Sequence, residues 1–300
     1  MGRGCTLTVT ACSTESMDRF FSIDCDSSFR RGVERLIADG ISRPQWCFIA
    51  SDGETAVGRV GYLQPCIGEL RIFGLALPQH DRDAGTKLLE ESLGIMKHSG
   101  TARVTCQLHT DELPPYSELL CSQVGMRVVQ EKVRFMRDCS VSGAIHQRLR
   151  FVSVREAGYE LFIRTVRDVT RDTLDRTDAA SVTELGEEQA ATQYSEELSS
   201  IDNAREHWYL AYQGNEVTGL VVPQVLEPGV GAINYIGVVP EQRGRGYVGD
   251  LLYHGIGVLQ ARGCSQVIAD IDSQNRPLEN ALVKGGFLAE KRILLFELCW

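Results

Sequence analysis

The sequence predicts an α+β protein made of two tandem copies of one domain, each a mixed, mostly antiparallel splayed sheet flanked by helices. Two observations predict it. A set of landmark residues recurs at matching spacing in the two halves, and both halves run through the same order of strand-like and helix-like patterns. Trp46, Ala50, Gly53 and Gly58 in the first half answer to Trp208, Ala211, Gly214 and Gly219 in the second, with identical Ala-to-Gly and Gly-to-Gly spacings. Gly58 to Pro78 spans 20 residues and Gly219 to Pro240 spans 21; Pro78 to Gly125 spans 47 and Pro240 to Gly286 spans 46. Agreement within one residue at every landmark indicates a tandem duplication.

Each copy reads as strand, helices, three strands, helix, strand, helix and a closing strand pair. Leu7, Val9 and Ala11 alternate with threonines, the period of a half-buried first strand. Ser51-Asp52-Gly53-Glu54 and Gln213-Gly214-Asn215-Glu216 are hairpin turns. The copies end in apolar strand pairs at 127–136 and 288–298. Ser140-Val141-Ser142-Gly143 is a connector and 149–154 a new alternating strand, so the domains are expected at 1–138 and 149–300 with a linker at 139–148. Residues 158–169 and 178–199 supply the early helices of the second copy, and Leu251, Leu252, Ile256 and Leu259 give its central helix an apolar stripe.

Composition excludes several functions. A net charge of −9 and a pI near 5.3 argue against general binding to nucleic acid or anionic membrane. No window reaches the ~18 uninterrupted apolar residues of a spanning helix. The 10 cysteines show no Cys-x-x-Cys pair and no histidine at ligand spacing, so zinc is not expected and the thiols read as reduced core residues of a cytosolic protein. Residues 1–6 fit a myristoylation pattern and Val9-Thr10-Ala11-Cys12 is like a lipoprotein cleavage site. The strand alternation is the better account of that segment, whose apolar stretch is shorter than a secretory one.

The chemistry concentrates in Pro240-Glu241-Gln242-Arg243-Gly244-Arg245-Gly246. An apolar strand over 232–239 ends at Pro240, two glycines allow a tight turn with exposed amides, and a helix continues over 248–262. Glycines at a helix start let a diphosphate approach backbone N–H groups, and the helix dipole adds favourable potential. Arg243 and Arg245 stand ready for charge-assisted contacts to phosphate. A Walker loop lacks its Gly-Lys-Ser/Thr ending here, and a Rossmann site lacks its third glycine and acidic ribose partner.

Ile236-Gly237-Val238-Val239-Pro240-Glu241-Gln242-Arg243-Gly244-Arg245-Gly246-Tyr247 resembles the acetyl-CoA motif of GCN5-related N-acetyltransferases, the GNAT family. Asp270-Ile271-Asp272, Asn275, Pro277-Leu278 and Lys284-Gly285-Gly286-Phe287 are similar to the strand and Asn-led helix that close the family's cofactor groove. The resemblance covers 149–298 and implies two tandem GNAT-like domains. It further implies that the backbones of Ile236, Gly237 and Val238 hold the thioester and pantetheine of acetyl-CoA, a co-substrate. Those of Arg243, Gly244, Arg245, Gly246, Tyr247, Val248 and Gly249 would hold the pyrophosphate, with Asn275 near the pantetheine arm. Two positions depart from the pattern: Val248 stands at the last Gly/Ala position, and Leu282 stands where the family often has a tyrosine acid.

Direct acetyl transfer needs a base for the amine and a donor for the oxyanion. Asn234 and Tyr235 occupy the place of the family's frequent glutamate. Asp270 and Asp272 are open to two readings, ammonium recognition with proton relay or a helix-capping, turn-forming pair. His207 and His254 read as structural or surface residues. The first copy's Leu77-Pro78-Gln79-His80-Asp81-Arg82-Asp83-Ala84-Gly85-Thr86-Lys87 keeps Arg82 and Gly85 but sets two carboxylates where phosphate would lie, so this copy is expected to have lost its cofactor. The expected activity is N-acetylation of a primary amine of a small molecule, in natural-product tailoring or self-resistance. Alternatives are a protein-amine or thiol-precursor acetyltransferase like mycothiol synthase, and a non-catalytic acyl-CoA sensor. No nucleic-acid or membrane partner is expected, and the chain is a monomer or homodimer.

Overall fold

The computed structural model of the chain describes residues 7–78, 81–111, 114–139 and 148–300. The myristoylation pattern at 1–6, Gln79-His80 and most of the expected linker lie outside the described residues. In the first copy the elements are β1 (Leu7–Ala11), α1 (Met17–Phe21), α2 (Ser27–Ala38), β2 (Cys47–Asp52), β3 (Thr55–Cys66), β4 (Glu69–Ala76), α3 (Arg82–Lys97), β5 (Arg103–His109), α4 (Ser117–Gln123) and β6 (Arg127–Asp138). The second copy has β7 (Arg150–Ser153), α5 (Val154–Ala157), α6 (Tyr159–Thr170), α7 (Arg176–Leu185), α8 (Glu187–Ile201), β8 (Tyr209–Gln213), β9 (Glu216–Glu227) and β10 (Val230–Val238). It continues with α9 (Tyr247–Ala261), β11 (Gln266–Asp272), α10 (Arg276–Lys284) and β12 (Leu288–Cys299).

Each closing segment expected as a strand pair is one continuous strand of 12 residues. The reason lies in how the chain divides into compact units, which are Met1–Gln130 with Ile293–Trp300 and Glu131–Arg292. The sheet of the first unit runs β1-β2-β3-β4-β5-β12, and that of the second runs β6-β11-β10-β9-β8-β7. Each repeat thus lends the end of its last strand to the sheet of the other unit, β6 pairing with β11 and β12 with β5, and a continuous strand of this length has the apolar pattern of two short ones. The compact division therefore differs from the sequence division at 139–148, which follows the repeat. Pairing is antiparallel throughout each unit except for β4 with β5 and β10 with β11.

Burial explains the strand patterns. In β2, Phe48 and Ala50 face the core under α3, while Cys47 and Ile49 face the opposite one with Phe20 and Val33. The run is apolar because both faces are covered. In the second unit, Val221 packs beneath α9 and its neighbours Leu220 and Val222 pack beneath α6 and α8. The expected α9 stripe of Leu251, Leu252, Ile256 and Leu259 is buried. The helix expected at 178–199 is two, α7 and α8, separated at Gly186, whose φ of 82° leaves the right-handed helical region. Cys12, Cys47, Cys106, Cys121, Cys139 and Cys264 are buried free thiols. Among the described residues no helix is long and apolar enough to cross a membrane.

The feature that prepares a site is a splay. β10 pairs with β11 only at residues 230–232, after which the two strands part. From Ile233 onward β10 is bonded to β9 alone, with a bulge at Asn234. Beyond Ile268, β11 is bonded to β6 alone. One backbone edge of β10 therefore runs unpaired along an open cleft, and unpaired strand groups seek a partner. β4 and β5 part in the same way after Ile72 and Cys106.

Candidate active site

The helix at the end of the cleft starts bare. Pro240 opens a single 3-10 turn, Gly244 and Gly246 take φ of 77° and 76°, and Gly246 caps α9 with no side-chain hydrogen bond. The N–H groups of residues 244–248 make no hydrogen bond among the described residues. A Cβ built on Gly244 would meet nothing within 4 Å. Such a turn presents a ring of unbonded donors and the positive end of a helix dipole to open space, a fit for a diphosphate.

Arg148, a residue the sequence gave no reason to single out, holds this turn in shape. Its Nη1 donates to the Arg245 carbonyl and its Nη2 to that of Gly246, both at 3.0 Å. The same guanidinium is bound by Asp250 at 2.6 Å and lies over the Tyr247 ring. Asp250 is buried on the inner face of α9. With the loop carbonyls pulled toward Arg148, the amides are left pointing the other way. A lone carboxylate among the apolar residues of a helix's first turn is the one local hint that such a partner exists.

Arg243 serves differently from expectation. Its Nε donates to the Val238 carbonyl, and its Nη atoms donate to those of Val169, Arg171 and Asp172. Three of these four carbonyls commit the cation to the C-terminal end of α6, where the helix dipole is negative, and the fourth ties it to the end of β10. Of the two arginines read as phosphate contacts, Arg245 alone keeps an exposed, uncommitted side chain. Gly237 is forced to be glycine by packing, since a Cβ there would overlap Val169. Asn275 caps α10, its Oδ1 accepting from the Leu278 N–H at 3.3 Å.

The four residues read as catalytic are not brought together as acid and base. Asp270 forms a two-pronged ion pair with Arg134, at 2.8 and 2.7 Å. Asp272 is fully buried against Arg176 at 2.8 Å and also accepts from the Gln274 N–H at 2.8 Å, so the structural reading is the one its geometry supports. Asn234, in the bulge, donates to Gln224, which in turn donates to the Leu198 and Asp202 carbonyls at the end of α8. Tyr235 is buried on the α8 side of the sheet, its ring 4.7 Å from that of Tyr194. Leu282 is buried in the core and offers no proton. His254 is sandwiched between Phe151 and Tyr209, and burial pushes its pKa down to about 4, which keeps it a neutral core residue at pH 7.

Beside Tyr235 lies a group the sequence reading passed over. Asp178, in the first turn of α7, has its pKa pushed up to about 7 by burial and by the neighbouring Asp175 carboxylate. Asp175 caps α7 and faces Lys132 at 3.6 Å. Nothing local marks Asp178, since an acidic residue in a helix's first turn is ordinary.

Residues 173–287 match the model of the Acetyltransferase (GNAT) family. No curated protein matches the sequence. Among solved structures, a GCN5-related N-acetyltransferase from Sphaerobacter thermophilus is similar over 98% of this chain and 95% of its own, with a TM-score of 0.69 and 18% identity. A tandem GNAT protein from the clavulanic acid biosynthesis pathway is similar over 98% of both chains, with a TM-score of 0.61 and 12% identity. A GNAT-family acetyltransferase from Colwellia psychrerythraea is similar over 97% of this chain and 99% of its own, at 0.54 and 14%. At such identities the likeness is one of fold, and it extends over both copies.

Proposed function

From the premise that this chain carries a GNAT-family domain at residues 173–287, we propose that its second unit binds acetyl-CoA and transfers the acetyl group to a primary amine of a small molecule. Members of the family are acyl-CoA-dependent N-acetyltransferases. The observation that carries the reading is the pairing of an uncapped α9 N-terminus with an unpaired β10 edge. The turn from Gly244 to Val248 would take the pyrophosphate on its N–H groups, and β10 from Ile236 to Val238 would pair with the amide-bearing pantetheine arm as a strand pairs with a strand. A β10 N–H facing the cleft is the natural donor to the thioester oxygen as negative charge develops there.

Among its described residues the first unit lacks this arrangement. Asp81 caps α3 with its own carboxylate, which accepts from the Ala84 N–H at 2.9 Å. The Tyr116 hydroxyl donates to the Pro78 carbonyl, tying α4 to the end of β4 across the place of the cleft. Natural-product tailoring or self-resistance remains the proposed setting.

A second reading, an acyl-CoA sensor without turnover, draws on the aliphatic Leu282 where the family often has its tyrosine. Titration calorimetry with acetyl-CoA tests both readings, which expect one site per chain. Thiol release in the presence of an amine panel then separates them. An intact chain that binds no acetyl-CoA would sink both.

A further inference from the structure

A line of polar side chains from α9, α8 and β9 ends on the splayed strand β10. Arg262, at the C-terminal end of α9, pairs with Asp202, at the end of α8, at 2.8 Å. Gln224 of β9 is fully buried, and its Nε2 donates to the Leu198 carbonyl at 2.7 Å and to the Asp202 carbonyl at 3.0 Å. Both hydrogens of that amide are spent on the end of α8, so its Oε1 can only accept. Asn234 donates to it through Nδ2. These bonds decide which way the Asn234 amide faces, because a flipped amide would set oxygen against oxygen.

The opposite atom of the same amide is free. The Asn234 Oδ1 accepts no hydrogen bond among the described residues, and the side chain is half-buried. Its place in the strand comes from the bulge. Ile233 pairs with Pro223 and Tyr235 with Val222, which leaves Asn234 as the extra residue. Proline has no N–H for the ladder, and a bulge re-aims the side chain it carries. The bulge falls where β10 has just parted from β11, at the closed end of the cleft. Asn234 precedes Ile236 by two residues, about 7 Å of strand. An amine nitrogen ~3 Å from Oδ1 is thus within reach of a thioester held along 236–238.

We propose that Asn234 selects and positions the reacting amine, its Oδ1 accepting a hydrogen from the acceptor nitrogen, with Gln224 as the positioning residue behind it. This rests on the acetyl-CoA reading above and favours amine over thiol acceptors, since a thiol is a weak donor to an amide oxygen. An amide oxygen takes up no proton near neutral pH, so the acceptor reacts as the free amine. Its nitrogen forms a bond to the thioester carbon, the carbon–sulfur bond breaks, and the sulfur leaves with the electron pair. A proton lost by the nitrogen and carried through water joins that pair to give the thiol of coenzyme A. The nitrogen turns cationic as its bond forms, so the contact with Oδ1 strengthens toward the transition state.

The test uses the full chain and acetyl-CoA with butylamine, allylamine or butanethiol as acceptor, the coenzyme A product being separated by chromatography. Asn234→Ala should bind acetyl-CoA as the parent does and lose about 10- to 100-fold with butylamine, mostly in kcat. Its rate with butanethiol should change by less than ~3-fold, so the parent's preference for the amine shrinks. Gln224→Met should cost several-fold with butylamine and nothing further in the Asn234→Ala background, a coupling that a merely structural role would not give. Asn234→Ala alters only a half-buried side chain, so the acceptor comparison stands even where Gln224→Met folds poorly. The parent's kcat/KM should rise with pH up to the acceptor's own pKa, and the inflection should fall from butylamine to the less basic allylamine. Equal losses with amine and thiol, a parental preference for the thiol, an inflection common to both amines, or acetyl-CoA bound without amine turnover overturns this inference alone. A parent that binds no acetyl-CoA removes it together with the reading beneath it.

Discussion

The two copies use the same four positions in opposite ways. In the second, residues 243–246 form a loop, and α9 begins only at Tyr247 with bare amides. In the first, Arg82 and Gly85 lie inside α3, whose N-terminus has moved back along the chain and is closed by Asp81. Gly85 is buried against Leu120 and Tyr116, a packing glycine where its counterpart Gly246 faces open space but for Arg148 Nη2. The sheet shows the same contrast. Where the second copy places Tyr235 beside carboxylates, the first places Phe73, Phe20 and Phe29 in one aromatic cluster, with the Phe29 ring against Gly74. Loss of a binding site here took the form of extra helix and extra core. The helix start that is bare in the second copy is a source of stability in the first, because an orphan donor there is satisfied by the Asp81 carboxylate.

The largest effect that can test this contrast is at Gly246. Replacement by tryptophan puts a side chain into the cradle, while the fold offers only Arg148 Nη2 at 3.7 Å as a neighbour to a new Cβ. Gly246→Trp should weaken acetyl-CoA binding by more than about 10²-fold, measured by calorimetry, with a melting temperature lower by several degrees at most, since positive φ costs a side chain only ~1–2 kcal/mol. Gly85→Ala should do the reverse. Its Cβ would meet the tip of Leu120, Cδ1, at 2.9 Å, and overpacking offset in part by alanine's helical advantage of about 1 kcal/mol lowers stability by about 1 kcal/mol or less and leaves acetyl-CoA affinity unchanged. Equal losses of affinity at the two glycines would erase the distinction between the copies.

Arg148→Ala is next in size. It frees the Arg245 and Gly246 carbonyls and strands the buried Asp250 carboxylate. Acetyl-CoA should bind about 10-fold more weakly, equivalent to ~1.4 kcal/mol. Arg148→Lys should rescue little, because one ammonium cannot reproduce the forked contacts. An unchanged affinity in the alanine variant would show that the turn holds its shape through its glycines alone.

The difference between what was readable and what was not follows contact distance along the chain. The turn before α9 was legible because its demands are local: a proline to end the strand, and two glycines that take positive φ before a helix. The duplication and the splayed sheet were legible from spacing and period. Arg243 was misassigned because its partners, Val169, Arg171 and Asp172, lie about 70 residues back and nothing in the motif says which way a guanidinium will turn. Arg148 and Asp178 were invisible for the same reason, since an arginine next to a linker and an acid in a helix's first turn have ordinary local explanations. The exchange of strand ends was hidden because one continuous 12-residue strand and a pair of short strands have the same apolar pattern.

The smallest expected effect bears most directly on how the first copy lost its site. Asp81→Ala removes the carboxylate that accepts the Ala84 N–H and restores bare donors at the start of α3. If the cap alone had displaced a cofactor, its removal would reopen a second acetyl-CoA site, and calorimetry would read two sites per chain. The α3 helix would still begin a turn early, Gly85 would still be packed against Leu120, and Tyr116 would still bridge to Pro78. The stoichiometry should therefore stay at one, while stability falls by about 1 kcal/mol for the lost cap. That shift is read as a melting temperature lower by a few degrees. A second site in this variant would mean that charge alone closed the first copy, and that the packing around Gly85 came after the loss and did not cause it.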